Sequence, residues 1–125
     1  MAHQTSILIV EDELMLLDVL HDEFANAGFK VSTAKDGVEG LALAKANKPD
    51  VLLIDILMPK MDGITMLKEM HKDEGLKQVP AIILTNMNES QTIQQALENG
   101  VYDFLAKTDW NPKDLVKRVK EKLGV

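Results

Sequence analysis

Short apolar runs and longer amphipathic stretches alternate along this chain. Ser6–Val10 reads SILIV, Val51–Asp55 reads VLLID and Ala81–Thr85 reads AIILT. Each is rich in branched side chains and lacks polar alternation, the pattern of a strand covered on both faces. Lys30–Ala34, KVSTA, is more polar and reads as a strand towards a sheet edge. Tyr102–Ala106 completes five strands. Between them the hydrophobic period becomes helical. Glu13–Ala27 carries Leu14, Leu17, Val19, Leu20 and Phe24 and stops at Gly28, while Asp36–Ala46 carries Val38, Leu41 and Leu43 and stops at Asn47 and Pro49. Ile64 to about Lys72 places Ile64, Leu67 and Met70 on one side. Glu89–Asn99 is closed by Gly100, and Pro112–Leu123 carries Leu115, Val116, Val119 and Leu123.

Strands alternating with helices imply a parallel sheet covered on both faces. A length of 125 residues suits one core, so a single domain over 1–125 is expected. For five strands and five helices the doubly wound α/β order 2-1-3-4-5 is the natural arrangement, with ligands at the C-terminal strand ends where the order reverses. Composition narrows the classes. A net charge of −6 argues against a basic nucleic-acid face, and the absence of cysteine excludes disulfides and thiolate metal sites. That absence also fits a reducing compartment, with the cytoplasm as the expected location. No apolar run reaches the roughly 18 residues of a membrane span, and the N-terminus lacks a secretory pattern.

The candidate chemistry stands at the strand ends. The first strand runs into Glu11-Asp12-Glu13, the third ends on Asp55, the fourth on Thr85, and Lys107 follows the fifth. In the expected order these four strands are consecutive neighbours, so three carboxylates, a hydroxyl and an ammonium meet along one edge. Glu11, Asp12 and Asp55 brought together would repel, and a divalent cation relieves that penalty. All-oxygen ligands select Mg²⁺, with Mn²⁺ as a substitute, and such a site commonly serves phosphoryl transfer. A carboxylate can itself be the nucleophile, and Asp55 stands centrally. Lys107 and Thr85 would share the transferred charge. Taken singly, each residue has a plainer reading: the acids as a helix cap, Asp55 as a turn residue, Thr85 and Lys107 as ordinary surface side chains. The functional reading rests on their coincidence at one edge.

The stretches ILIVEDE, DILMPKMDG, Ile82–Thr85 and FLAK at 104–107 resemble the receiver domain of two-component response regulators over essentially the whole chain. The resemblance implies a flavodoxin-like sheet with Asp55 as phospho-acceptor. It implies Glu11 and Asp12 as the acidic pair holding Mg²⁺, and the backbone carbonyl of Leu57 as a further metal ligand. Thr85 and Lys107 would contact the phosphoryl group. Phe104 would be the aromatic residue whose rotamer couples to phosphorylation and reshapes the face of the fourth helix, fifth strand and fifth helix. The implied donor is a histidine kinase or a histidine phosphotransfer protein, and the implied output partner is unnamed. The protein itself would be no enzyme beyond its own phosphorylation and dephosphorylation.

Two positions depart from the family pattern. Thr108 stands where the family has proline after the lysine; a cis bond without proline costs roughly 2.5–4 kcal/mol, so a trans Lys107–Thr108 bond and a reshaped loop into Trp110 are expected. Asn86 stands where the family has a small residue, and either hydrogen-bonds the phosphate or narrows the pocket. Leu57 and Met87 would flank that pocket and hinder water, giving a long-lived phosphoryl group. The fourth helix, SQTIQQALENG, offers only Ile93, Ala96 and Leu97 as anchors, which suits either a mobile switch or a plain exposed helix.

Rival functions are less well served. Leu57 stands where aspartate-dependent phosphatases carry a second aspartate, and no phosphate-cradling glycine motif is present. A flavodoxin would present hydroxyls rather than acids after its first strand. An interaction module that is never phosphorylated remains the alternative. Monomer and phosphorylation-dependent dimer are both compatible with the sequence, as are a stand-alone receiver and a piece of a longer protein.

Overall fold

Strands and helices alternate in the computed structural model, which describes residues 4–56, 58, 60–85, 90–98, 100–101, 103–106 and 111–125, with backbone alone at 85, 90–92 and 106. The strands are β1 Ser6–Val10, β2 Lys30–Ala34, β3 Val51–Asp55, β4 Ala81–Thr85 and β5 Asp103–Ala106. The helices are α1 Leu14–Asn26, α2 Gly37–Ala46, α3 Gly63–His71, α4 Ser90–Glu98 and α5 Pro112–Leu123. All strand pairs are parallel and the order is β2-β1-β3-β4-β5, as the alternation requires. The polar strand β2 is an edge strand. Among the described residues no helix is long and apolar enough to cross a membrane.

Side-chain alternation divides the core between the two faces of the sheet. Leu8, Val10, Leu52, Ile54 and Ile83 pack with Ala44, Met66, Leu67, Met70 and Ala96 on the side of α2, α3 and α4. Ile7, Ile9, Val51, Leu53, Ile82 and Leu84 pack with Leu17, Leu20, Phe24, Leu115, Val116 and Val119 on the side of α1 and α5. Every residue of β3 is buried, since the strand lies centrally beneath helices on both faces. The unbroken run VLLI is therefore a consequence of position.

Two helical stripes are narrower than their sequences suggest. In α1 the buried residues are Leu17, Leu20 and Phe24, whereas Leu14 and Val19 are 57% and 49% exposed. In α2 the buried face is Gly37, Gly40 and Ala44, Leu41 and Leu43 are half-buried, and Val38 is exposed. Small residues form that face because α2 lies close to its neighbours: a Cβ added to Gly40 would come within 2.9 Å of Val10 Cγ2 and 3.0 Å of Met66 Sδ. Hydrophobicity alone therefore misplaces the face of α2. Leu76, buried in the turn after α3, belongs to no predicted element.

Candidate functional site

Register places the strand ends. Val10 is paired with Ile54, Asp55 with Leu84, and Thr85 with Ala106. Glu11 thus leaves β1 level with Asp55. Glu11 is fully buried and Asp55 is 4% exposed, while Asp12 is open to solvent. Carboxylate oxygens of Glu11, Asp12 and Asp55 lie within 4.8 Å of one another. Like charges this close repel, and a cation between them relieves that repulsion. The donor set is hard and wholly oxygen, the kind Mg²⁺ takes, so these three residues could hold one such ion with water completing its shell.

Local structure holds these acids in place. The Glu13 amide donates to Glu11 Oε2 at 3.1 Å, and the Glu11 amide donates to the Ala34 carbonyl at 3.0 Å. Glu13 is the N-cap of α1 but accepts no side-chain capping bond. The simple capping explanation of these acids therefore fails for Glu13. On the other side, Gly63 donates to the Ile56 carbonyl at 2.9 Å, and a Cβ added at Gly63 would stand 2.5 Å from the Asp55 carbonyl oxygen. Glycine opens α3 because the backbone of the central acid occupies the space where a side chain would begin.

Two Asp-Gly pairs, Asp36-Gly37 and Asp62-Gly63, open helices in the same way. Asp36 caps α2, accepting from the Glu39 amide at 2.8 Å, and Asp62 caps α3, accepting from the Thr65 amide at 2.7 Å. Each is followed by a glycine pressed against another backbone segment, at Met61 for Gly37 and at Asp55 for Gly63. The repeated dipeptide was visible in the sequence, but its contacts were not.

The other candidates fall as follows. Thr85 ends β4, and its side chain is outside the described atoms. Leu57, Asn86, Met87, Lys107, Thr108 and Trp110 lie outside the described residues, and with them the trans-bond expectation and the pocket flanks. Phe104 is half-buried against the core on the α4 side, its register partner being Ile83. In α4, Ala96 is fully buried, Ile93 half-buried and Leu97 exposed, so anchoring among these is confined largely to one small side chain.

A doubly wound α/β sheet with three acids at the C-terminal edge of its central strands defines a domain that can hold a hard divalent cation beside a carboxylate. The family model of the response regulator receiver domain matches residues 7–120, and the chain belongs to that family. Domains of this family serve phosphorylation-dependent signalling in two-component systems and are typically signalling domains without enzymatic activity of their own. The DNA-binding dual master transcriptional regulator RpaA of Synechocystis sp. is 32% identical over 114 residues, which are 91% of this chain and 47% of that protein. The alkaline phosphatase synthesis transcriptional regulatory protein PhoP of Bacillus subtilis is 33% identical over 114 residues, 91% of this chain and 46% of that protein. The chain thus spans about half the length of these curated relatives. Among solved structures, a CheY-like response regulator receiver domain protein from Methanospirillum hungatei JF-1 is 30% identical with a TM-score of 0.89, covering 98% of this chain and 95% of that one. The CheX-CheY-BeF3-Mg+2 complex from Borrelia burgdorferi contains a chain 29% identical with a TM-score of 0.81, covering 94% of this chain and 88% of that one.

Proposed function

We propose that the chain is a single receiver domain that accepts a phosphoryl group on Asp55 and relays the change to an output partner. The carrying observation is the buried Asp55 carboxylate clustered with Glu11 and Asp12 at the sheet edge. Glu11 and Asp12, together with Asp55 and the Leu57 carbonyl, would hold Mg²⁺ or Mn²⁺. Bound there, the cation supplies charge neutralisation and orientation for the transferring phosphoryl group. An Asp55 carboxylate oxygen attacks phosphorus as the bond from phosphorus to the donor breaks, leaving an aspartyl phosphate. Lys107 and Thr85 stabilise the equatorial oxygens. The Mg+2-containing complex from Borrelia burgdorferi supports the cation assignment by likeness.

A histidine kinase or histidine phosphotransfer protein is the proposed donor. The α4–β5–α5 face, with Phe104 half-buried at its centre and α4 lightly anchored, is the proposed output surface. The acidic balance of the chain favours a protein partner over direct contact with nucleic acid. Incubation with acetyl phosphate and Mg²⁺, followed by intact mass spectrometry, tests the reading. Acetate leaves, and the expected product carries one added phosphoryl group that is absent from Asp55→Ala. An unchanged wild-type mass would favour a receiver-fold interaction module that is not phosphorylated.

A further inference from the structure

The start of α2 is tied to the loop that leaves the acid cluster, although it contributes no acid to that cluster. The Gly37 amide donates to the Met61 carbonyl at 3.0 Å. The approach is so close that a Cβ on Gly37 would fall 2.4 Å from Met61 O and 2.9 Å from Met61 Cβ. Beside it, Asp36 is buried to 7% exposure, and its Oδ2 lies 3.7 Å from Lys60 Nζ while its Oδ1 caps α2. Lys60 has φ of 66°, a left-handed conformation that a residue with a Cβ adopts only at a cost. Such a conformation persists where surrounding contacts over-determine it. Met61 then leads into Asp62-Gly63, and Gly63 donates to the Ile56 carbonyl against the backbone of Asp55.

These contacts form a chain of two glycine-mediated approaches, from α2 to Met61 and from α3 to Asp55. We infer that Asp36 and Gly37 are positioning residues for the cation site: they fix the far end of the loop whose near end is Asp55 and which carries Leu57. This inference rests on the receiver reading above and adds to it the source of the site's rigidity. A metal site held by its supporting shell loses affinity when that shell is loosened, even where every ligand is retained.

The test compares two glycines on the same helix. Gly37 presses on the loop, whereas Gly40 presses on Val10 and Met66 in the core. Mg²⁺ affinity would be measured by calorimetry and stability by urea unfolding for wild type, Gly37→Ala and Gly40→Ala. Gly37→Ala should weaken Mg²⁺ binding about ten-fold. Gly40→Ala should lower the urea midpoint yet leave the Mg²⁺ Kd within about two-fold of wild type. Asp36→Asn keeps a good capping side chain and removes the charge facing Lys60, so it should weaken Mg²⁺ about three-fold with little loss of stability. That variant decides the matter if Gly37→Ala does not fold. Equal Kd changes in Gly37→Ala and Gly40→Ala, or an unaltered Kd in Asp36→Asn, would overturn the tether alone. A wild-type chain that binds no Mg²⁺ would overturn the tether and the receiver reading together.

Discussion

Asp103, at the start of β5, shows how neighbours decide the state of a single acid. Burial disfavours its charge, but hydrogen bonds and charges from Lys122 and Arg118 outweigh burial and hold the carboxyl below the ordinary aspartate value of 3.8. Arg118 Nη2 lies 3.0 Å from Oδ1, and Lys122 donates to Oδ2. A carboxyl whose pKa is lowered by folding stabilises the native state while ionised. Its contribution is complete above the ordinary value and is lost as the pH falls through the lowered folded-state value. Asp103→Asn should therefore cost about 1 kcal/mol at neutral pH. In urea unfolding at pH 7 and again at a pH below the ordinary aspartate value, the gap to wild type should narrow at the lower pH. A gap that persists unchanged would remove the ion pairs as its cause. Because Asp103 opens the strand that carries Phe104, these pairs also fasten α5 to the proposed output face.

At the level of elements, α1 is unusual in what it leaves outside. Met15 is 82% exposed, and Leu14 and Val19 are also exposed, in the first two turns of the helix that follows the acids Glu11 and Asp12. In the proposed reading, a phosphodonor protein would bring its phosphohistidine to Asp55, and these side chains lie on the helix that follows the acids Glu11 and Asp12. Exposed apolar clusters beside a reactive group commonly serve docking. Met15→Glu should leave labelling by acetyl phosphate unchanged. It should slow transfer from a histidine kinase or phosphotransfer protein about ten-fold, equivalent to about 1.4 kcal/mol of docking energy. Equal slowing with both donors would place the defect in the site, and no slowing with either would remove α1 from the docking surface.

Across the whole molecule, a cation held by the acid cluster would couple binding to folding. The unfolded chain separates Glu11, Asp12 and Asp55, so Mg²⁺ that binds the native cluster must stabilise it. The expected gain is about 2.7 kcal/mol when free Mg²⁺ is one hundred times its Kd. In thermal unfolding followed by circular dichroism, wild type should melt higher with Mg²⁺ and return to its metal-free midpoint with a chelator. Asp12→Ala should show little of this shift. A wild-type midpoint indifferent to Mg²⁺ would show that the cluster holds no ion under those conditions. In the proposed reading, a bound cation would offset the repulsion among these clustered carboxylates.

The sequence by itself determined the order of elements and their type, because β1, β3 and β4 are short apolar runs, β2 is a short, more polar β-branched run, and the helices between them carry a helical period. It also determined which acids meet, since parallel alternation sends successive strand ends to one edge, and Val51–Asp55 needs no tertiary information to be read as a central strand ending in a carboxylate. Only the tertiary structure decided which side of a short helix is buried. Val38 is exposed and Gly37, Gly40 and Ala44 are buried, because the distance to the neighbouring strand and helix sets the size that fits. It likewise decided the partners of the two Asp-Gly pairs. A glycine at the start of a helix can be read in a sequence, but the carbonyl it must approach, Met61 O or Asp55 O, belongs to a segment brought there by the fold. Local patterns record what a residue needs, whereas close contacts between distant backbones exist only once the chain has folded.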